Sequence, residues 1–364
     1  MTGIDGFPGQ WYSYKKNSKK NKMKNFLVYS LALVIATAPI LIIPACSKSS
    51  DSSSDLVGNW AISDFFDGNA RSEAVSFTIN DTVYVGTGLT ATKRLEDFWK
   101  YSIDKKFWTR VADFPGGQRS QAIAFSVNNK GYVGTGLDPA LNYHNDIWEY
   151  NPATNTWMQK NDFGGTPRRD AVAFVANGNA YVATGYDDNY LKDVWQYNAG
   201  ADSWTQKAGI AGAKRAEATV FNINGKVYLV SGNNNNSAIN DLQSYDPATD
   251  SWTTLRKLTN VTDESFDDKY TSIIRYNAAA FVIDGKAYLT TGENGSMNSR
   301  TWEYNPGDDT WTEKTAFSGA ARTGAIGITL KNRGFIMSGR SGTNPFDNMY
   351  EFQPSADDDD NDNQ

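Results

Sequence analysis

The chain has few of the side chains that most enzymes rely on. Its 364 residues include one histidine, His144, and one cysteine, Cys46. A single cysteine excludes an internal disulfide. One histidine and one cysteine together exclude zinc sites built from sets of those residues. No Gly-x-Ser-x-Gly turn accompanies His144, so a Ser-His-Asp nucleophile has no support, and His144 reads as a surface loop residue. Basic residues are outnumbered, 35 Lys and Arg against 41 Asp and Glu, which argues against a nucleic-acid partner. No window beyond the N-terminal region supports a ten-residue amphipathic helix.

What is present is a repeat. Six copies align on Gly88, Gly136, Gly185, Gly232, Gly292 and Gly339, spaced by 48, 49, 47, 60 and 47 residues. Four residues before each stands an aromatic: Tyr84, Tyr132, Tyr181, Tyr228, Tyr288 and Phe335. Sixteen or seventeen residues before each stands an arginine: Arg71, Arg119, Arg169, Arg215, Arg275 and Arg322. After the glycines come Tyr101, Tyr150, Tyr197, Tyr245, Tyr304 and Phe352. Seven residues beyond each of the first five lies Trp108, Trp157, Trp204, Trp252 or Trp311. A period of ~45–50 residues made of short strand-like runs predicts an all-β propeller, one four-stranded blade per repeat.

Within the second copy, Ala122–Val127 is an apolar run of strand length. Asn128 to Gly131 is a turn of residues that tolerate positive φ. Tyr132–Gly136, Asp146–Tyr150 and a segment opening at Thr156 supply the other three strands. The sixth copy ends at Phe352 without its tryptophan. Trp60 precedes Arg71 by 11 residues, the same distance that separates Trp108, Trp204 and Trp311 from the arginines after them. Val57–Ile62 is therefore predicted to be the outer strand of blade six, donated from the N-terminal side, which removes two open sheet edges. Ten of the 11 tryptophans occupy two phases of the repeat, as packing between blades requires.

Together, the arginine before strand one, the aromatic-x-x-x-Gly of strand two, the strand-three tyrosine and the following tryptophan resemble the kelch repeat over residues 56–352. Where kelch units usually carry a Gly-Gly doublet, this chain reads Gly86-Thr87-Gly88, Gly134-Thr135-Gly136 and Ala183-Thr184-Gly185, with a small hydroxyl residue in place of the first glycine here and in the other three copies. The resemblance implies a six-bladed propeller. Kelch propellers include the galactose oxidase family, whose copper site needs two histidines and a cysteine cross-linked to tyrosine. One histidine, and a cysteine in an export signal, leave that chemistry without ligands, so no metal or cofactor is expected. Six-bladed kelch proteins also include relatives of the sialic acid mutarotases, which work without a metal.

Ahead of the repeats lie six lysines between Lys15 and Lys24, a 20-residue apolar run from Phe26 to Ala45, and then Cys46. Ile43-Pro44-Ala45-Cys46 resembles a bacterial lipoprotein cleavage site. Residues 1–45 are thus expected to be a signal peptide, with Met23 an alternative true start. An uncleaved membrane helix is the other reading, since 20 apolar residues suffice to span a bilayer. Residues 46–55 read as a lipidated, flexible tether, and residues 353–364 as an acidic, disordered tail. The expected location is the cell envelope, facing the periplasm or the exterior, with membrane contact through the lipid anchor only. Cleavage before Cys46 leaves 29 basic and 40 acidic residues, a balance of −11.

In kelch propellers one face carries the loops that enter strand one and those between strands two and three. Two readings of the repeated arginines stay open there. Arg71, Arg119, Arg169, Arg215, Arg275 and Arg322 either ring the channel mouth as ligand-binding cations or serve as structural guanidiniums bonded to carbonyls and nearby acids. Repetition favours structure for most of them; positions that differ between blades are the better functional candidates. Glu73, Glu217 and Glu293 are candidate catalytic carboxylates, and Arg340 and Tyr186 candidate ligand contacts. An insertion near Asn260–Tyr270 lengthens the Trp252–Arg275 interval to 23 residues; it reads as a tolerated loop or as a lid.

The expected function is binding of a glycan or protein ligand through this loop face. The alternative is a metal-independent epimerase or mutarotase acting on a sugar acid such as sialic acid. The anchor has a direct check: Cys46→Ala should abolish fatty-acid incorporation and leave unprocessed precursor on a gel. Normal processing of that variant, with no lipid label on the wild type, would contradict it.

Overall fold

The computed structural model describes residues 56–359. The expected signal peptide, Cys46, the tether and the last five residues of the tail lie outside the described residues. No helix occurs among the described residues.

Six antiparallel blade sheets of four or five strands follow one another along the described residues, with a two-stranded sheet in a loop of the fourth. Their innermost strands are Val75–Ile79, Ile123–Val127, Val172–Ala176, Thr219–Ile223, Ala279–Ile283 and Thr323–Leu330. The first three and the fifth alternate buried and half-buried positions, because successive side chains point to opposite faces of the sheet and each face packs on a different neighbouring blade, as Phe174 and Val175 do. The second strands, such as Thr82–Gly86 and Lys130–Gly134, are buried on both faces. That is why the sequence reads there as an unbroken apolar run. Turns such as Asn177-Gly178, Asn224-Gly225 and Asp284-Gly285 have both residues at φ between 48° and 80°, the geometry that joins two right-twisted strands in two residues.

The ring closes as expected, with a small shift. The closing strand is Asn59–Phe65 rather than Val57–Ile62, and it pairs with Asn348–Gln353. Trp60 stands opposite Phe352, as Trp108 stands opposite Tyr101 and Trp157 opposite Tyr150. It is fully buried, with ring centroids 4.7 Å from Phe352, 5.1 Å from Phe317 and 5.8 Å from Phe281. Its Nε1 donates to the Thr315 carbonyl at 3.3 Å. The expectation of disorder from residue 353 needs correction. Gln353 ends a strand, Gly58 N donates to Ala356 O at 2.9 Å, and Asp359 N donates to Asn59 Oδ1 at 3.2 Å. The donated strand gives this segment a partner that a free acidic terminus would lack.

Around the axis the blades are tied by two closed rings of main-chain hydrogen bonds. In the inner ring, the N–H of each of Glu73, Gln121, Asp170, Glu217, Asn277 and Gly324 donates to the carbonyl of the preceding member, Glu73 reaching Gly324, at 2.9–3.2 Å. In the second, each aligned glycine donates to the arginine carbonyl of the next blade. Gly88 reaches Arg119, Gly136 reaches Arg168, and so on to Gly339 and Arg71, at 2.8–3.3 Å. These glycines have φ between 81° and 105°, and a Cβ on Gly88 would meet Ser72 O at 2.9 Å; both facts explain why the position is invariant within the chain.

Trp60→Ala should lower the unfolding free energy by about 3–5 kcal/mol, the usual cost of truncating a buried aromatic. A chemical denaturation midpoint equal to that of the wild type would mean that this strand does not close the ring.

Candidate functional site

The repeated arginines separate into two kinds. Arg71, Arg119, Arg215, Arg275 and Arg322 are 0–1% exposed. Their Nη1 atoms donate to the carbonyls of Thr87, Thr135, Ser231, Thr291 and Ser338 at 2.7–3.0 Å. They are buried and line no part of the mouth, so of the two readings left open by the sequence their bonds favour the structural one for all five. Blade three is corrected in register. The structural arginine there is Arg168, 1% exposed and bonded to Thr184 O at 2.8 Å. It stands 17 residues before Gly185, as the other five stand before their glycines, and 11 after Trp157. Arg169 is the extra one, with its side chain 27% exposed.

An acid partners most of the buried guanidiniums. Asp97, Asp146, Asp193 and Asp241 pair with Arg71, Arg119, Arg168 and Arg215 at 2.5–2.8 Å. The first three also accept from the indoles of Trp99, Trp148 and Trp195 at 2.7–2.8 Å. Five residues before the arginines stand Phe66, Phe114, Phe163, Ile210, Tyr270 and Phe317, all 2–3% exposed. Four of these rings stack on their guanidinium at 4.7–4.9 Å. The acid stands four residues before the strand-three tyrosine, and both features escaped the alignment on glycine. Blades five and six lack the acid, having Arg300 and Asn348 at that phase. Burial, with the charge of Arg300 added, pushes Arg275 down to about 9; burial pushes Arg322 down to about 10.

The residues just after each buried arginine build the mouth. Two positions on is the inner ring. Its side chains Glu73, Gln121, Asp170, Glu217 and Asn277, with Gly324 and six alanines just behind, line a constriction of about 140 Å³. All six ring residues have φ of 51–63°. For five non-glycine residues that left-handed backbone costs on the order of 1–2 kcal/mol each, and the ring of hydrogen bonds holds them in it. One position on from the buried arginine lies an outer tier. Its members pair with the residues after the aligned glycines: Ser72 with Leu89, Ser120 with Leu137, Arg169 with Tyr186, Ala216 with Asn233, Tyr276 with Glu293, Thr323 with Arg340. After the aligned glycine, blades one and two carry a leucine, and blades three to six carry tyrosine, asparagine, glutamate and arginine.

Every remaining site residue expected from the sequence falls in these two tiers. Arg340 Nη2 donates to Glu73 Oε1 at 3.1 Å. Glu293 does not pair with Arg340; its Oε1 accepts from Thr323 Oγ1 at 3.0 Å. Glu217 accepts from Asn233 Nδ2 at 2.8 Å. Arg169 stacks on Tyr186 with its guanidinium 5.0 Å from the ring centre. Its Nη1 bonds Asp170, whose other contact is Gln121 Nε2 at 2.9 Å. Asp170 is absent from the sequence-derived candidates because the register slip in blade three displaces it by one position. Burial, and then the charge of Glu217, hold the Asp170 carboxyl well above its ordinary range against the pull of Arg169. Burial likewise raises Glu217, against the Asn233 amide and Arg169.

Two other expectations fall outside the mouth. His144 lies in a loop of blade two, its Nε2 3.2 Å from Asp138 Oδ2. The insertion is pinned rather than open. Leu258, Asp267 and Tyr270 are buried, Phe266 packs on the same apolar cluster, and Trp311 N donates to the Tyr270 hydroxyl. Asn240, in the strand-two-to-three loop of blade four, accepts from Leu258 N at 2.8 Å.

Kelch family models match the chain: one described as the KLHDC2/KLHL20/DRC7 Kelch-repeats domain over residues 66–214, and one as the Kelch motif over residues 214–259. The chain is also similar to the solved structure of YjhT. The TM-score is 0.66 and the identity 19%, over 78% of this chain and 95% of that one, which shows a shared fold. No curated protein matches.

The raised carboxyls fix the sign of a pH effect. Folded Asp170 keeps its proton at pH values where the unfolded chain has already lost it. The folded state then binds more protons, so stability falls as pH rises above the ordinary carboxylate range. Asp170→Asn should shrink that fall, read as the difference in unfolding free energy between about pH 4 and pH 8. An unchanged difference would mean that Asp170 titrates normally.

Proposed function

We propose that this six-bladed kelch-repeat β-propeller binds an acidic glycan at the polar half of its channel mouth, displayed on the outer side of a membrane by the expected anchor. One observation carries the reading. Buried positions repeat from blade to blade, whereas Arg169 and Arg340 are arginines that occur once each, in the tier that faces the mouth. An arginine fork is suited to grip a carboxylate through two parallel hydrogen bonds. Around the two arginines stand Glu293, Asn233, Tyr276 and Thr323, and beneath them the acids and amides of the inner ring. Such groups match hydroxyls, which donate and accept. A protein ligand would more commonly meet an apolar centre, and blades three to six offer none here.

A second reading rests on the raised carboxyls. Burial favours the protonated form of Asp170, and beside Glu217 the pair would supply a general acid and a general base within one constriction. In a sugar acid, one carboxyl would give its proton to the ring oxygen while the other takes the proton of the anomeric hydroxyl. The ring opens, and reclosure on the other carbonyl face inverts the anomer with protons conserved. This is mutarotase chemistry without a metal.

Calorimetric titration with N-acetylneuraminic acid separates the outcomes. Arg340→Ala should weaken binding by about 1.5–3 kcal/mol, the worth of a hydrogen bond to a charged group, and leave the fold intact. Wild-type affinity in both Arg340→Ala and Arg169→Ala would move the site elsewhere. If the second reading holds, the wild type speeds anomer exchange in NMR and Glu217→Gln does not.

A further inference from the structure

The polar wall of the mouth continues outward between blades three and four into a second cleft of about 350 Å³. Tyr186, Tyr190, Asp188, Lys214, Asn234 and Asn235 line it. Two loops build it. In blade three, Tyr186 and Tyr190 pair across a short turn in which Asp188 has φ 76°. In blade four, Asn233–Asn234 pair with Ser237–Ala238 around a turn with Asn235 and Asn236 at φ 53° and 60°. This run of four asparagines interrupts the repeat, and asparagine is the residue that best tolerates such backbone after glycine.

The cleft has one aromatic wall. Tyr143 of blade two, Tyr186 and Tyr190 stand edge to face, with centroids 6.3 Å and 5.1 Å apart. The Tyr143 hydroxyl donates to Asp188 Oδ1 at 3.2 Å, and Arg169 covers Tyr186 from the mouth side. The opposite wall is polar: two amides and the exposed ammonium of Lys214, which forms no ion pair among the described residues. Asn233, next to Asn234 and 7% exposed, lines neither cleft and ties the blade-four loop to the inner ring. Its Nδ2 is committed to Glu217, while its Oδ1 is buried with no hydrogen-bond partner.

We infer that this cleft is a second sugar subsite that takes a neutral hexopyranose joined to the acidic sugar of the mouth. The ligand is then an oligosaccharide rather than a free monosaccharide. The inference rests on the proposed glycan reading and adds to it the length of the ligand. A pyranose has an apolar C–H face and a rim of hydroxyls. An aromatic wall meets the first, and amides, which both donate and accept, meet the second. The cleft has too many polar groups for an apolar peptide side chain. Its cation and its acid, Lys214 and Asp188, leave it without the single sign that a second charged sugar would require.

The test compares N-acetylneuraminic acid with 3′-sialyllactose by calorimetry on the folded protein. The wild type should bind the trisaccharide about 5- to 10-fold more tightly than the monosaccharide, the range expected for one aromatic contact with its rim bonds. Tyr190→Ala should bring the trisaccharide down to the affinity of the monosaccharide and leave the monosaccharide unchanged. Asn235→Gly, which suits the positive-φ turn and removes the amide, should remove part of the same increment. Equal affinities for the two probes in the wild type would overturn the subsite while the mouth reading stands. Loss of monosaccharide binding in Tyr190→Ala, with Asn235→Gly like wild type, would assign the tyrosine to the mouth and also overturn it. Binding of neither probe would overturn the mouth reading, and the subsite with it.

Discussion

The architecture depends on how the six blades are held at the axis. Sheets packed face to face have no main-chain bonds between them, and apolar packing alone does not fix their mutual rotation. Here two closed rings of N–H···O bonds supply that constraint. Each ring needs a special backbone: positive-φ glycine in one, left-handed residues in the other. The buried arginine lies between the rings. Its carbonyl accepts from the glycine of the preceding blade, and in blades one and two its guanidinium bonds the carbonyl just past its own second strand. The residue two positions on enters the inner ring. Arginine and glycine are thus two ends of one device, which accounts for their common period.

That device also places the candidate site. Because backbone bonds hold the inner ring, its side chains are free to differ, and they do: two glutamates, an aspartate, a glutamine, an asparagine and a glycine. Left-handed backbone at non-glycine residues is strain, and strain of this kind gathers where side chains must be aimed. The same crowding raises the carboxyls of Asp170 and Glu217. Blades one to four neutralise the buried guanidinium with an acid, and blades five and six do not. The unneutralised buried charge of the fold is therefore concentrated beside Arg340 and Glu293.

Much of this was legible in the sequence. The blade count followed from the glycine and tyrosine phases, and the closing strand from the distance between Trp60 and Arg71, because both reflect packing that every blade repeats. The structural role of most of the arginines followed from their repetition. What the sequence concealed was a register. Arg168 and Arg169 are adjacent and chemically identical, so only the exact interval of 17 residues separates them, and that slip hid Asp170. The acid partners Asp97, Asp146, Asp193 and Asp241 stood at slightly varying distances from the glycines, since the loops before them differ in length. Pairing of Arg340 with Glu73 rather than Glu293 joins residues 267 positions apart, beyond the reach of spacing arguments.

The central claim is that arginines inside the rings hold the fold and arginines outside them face the ligand. Arg168 and Arg169 test it as neighbours in one chain. Arg168→Ala leaves Asp193 without its buried partner and should cost about 3–5 kcal/mol, read as a lowered denaturation midpoint. Arg169→Ala also removes a partner, that of Asp170, but burial already disfavours the charge of that carboxyl, so the cost should be smaller, about 1 kcal/mol. A wild-type midpoint for Arg168→Ala, or an equal loss in both variants, would contradict the account.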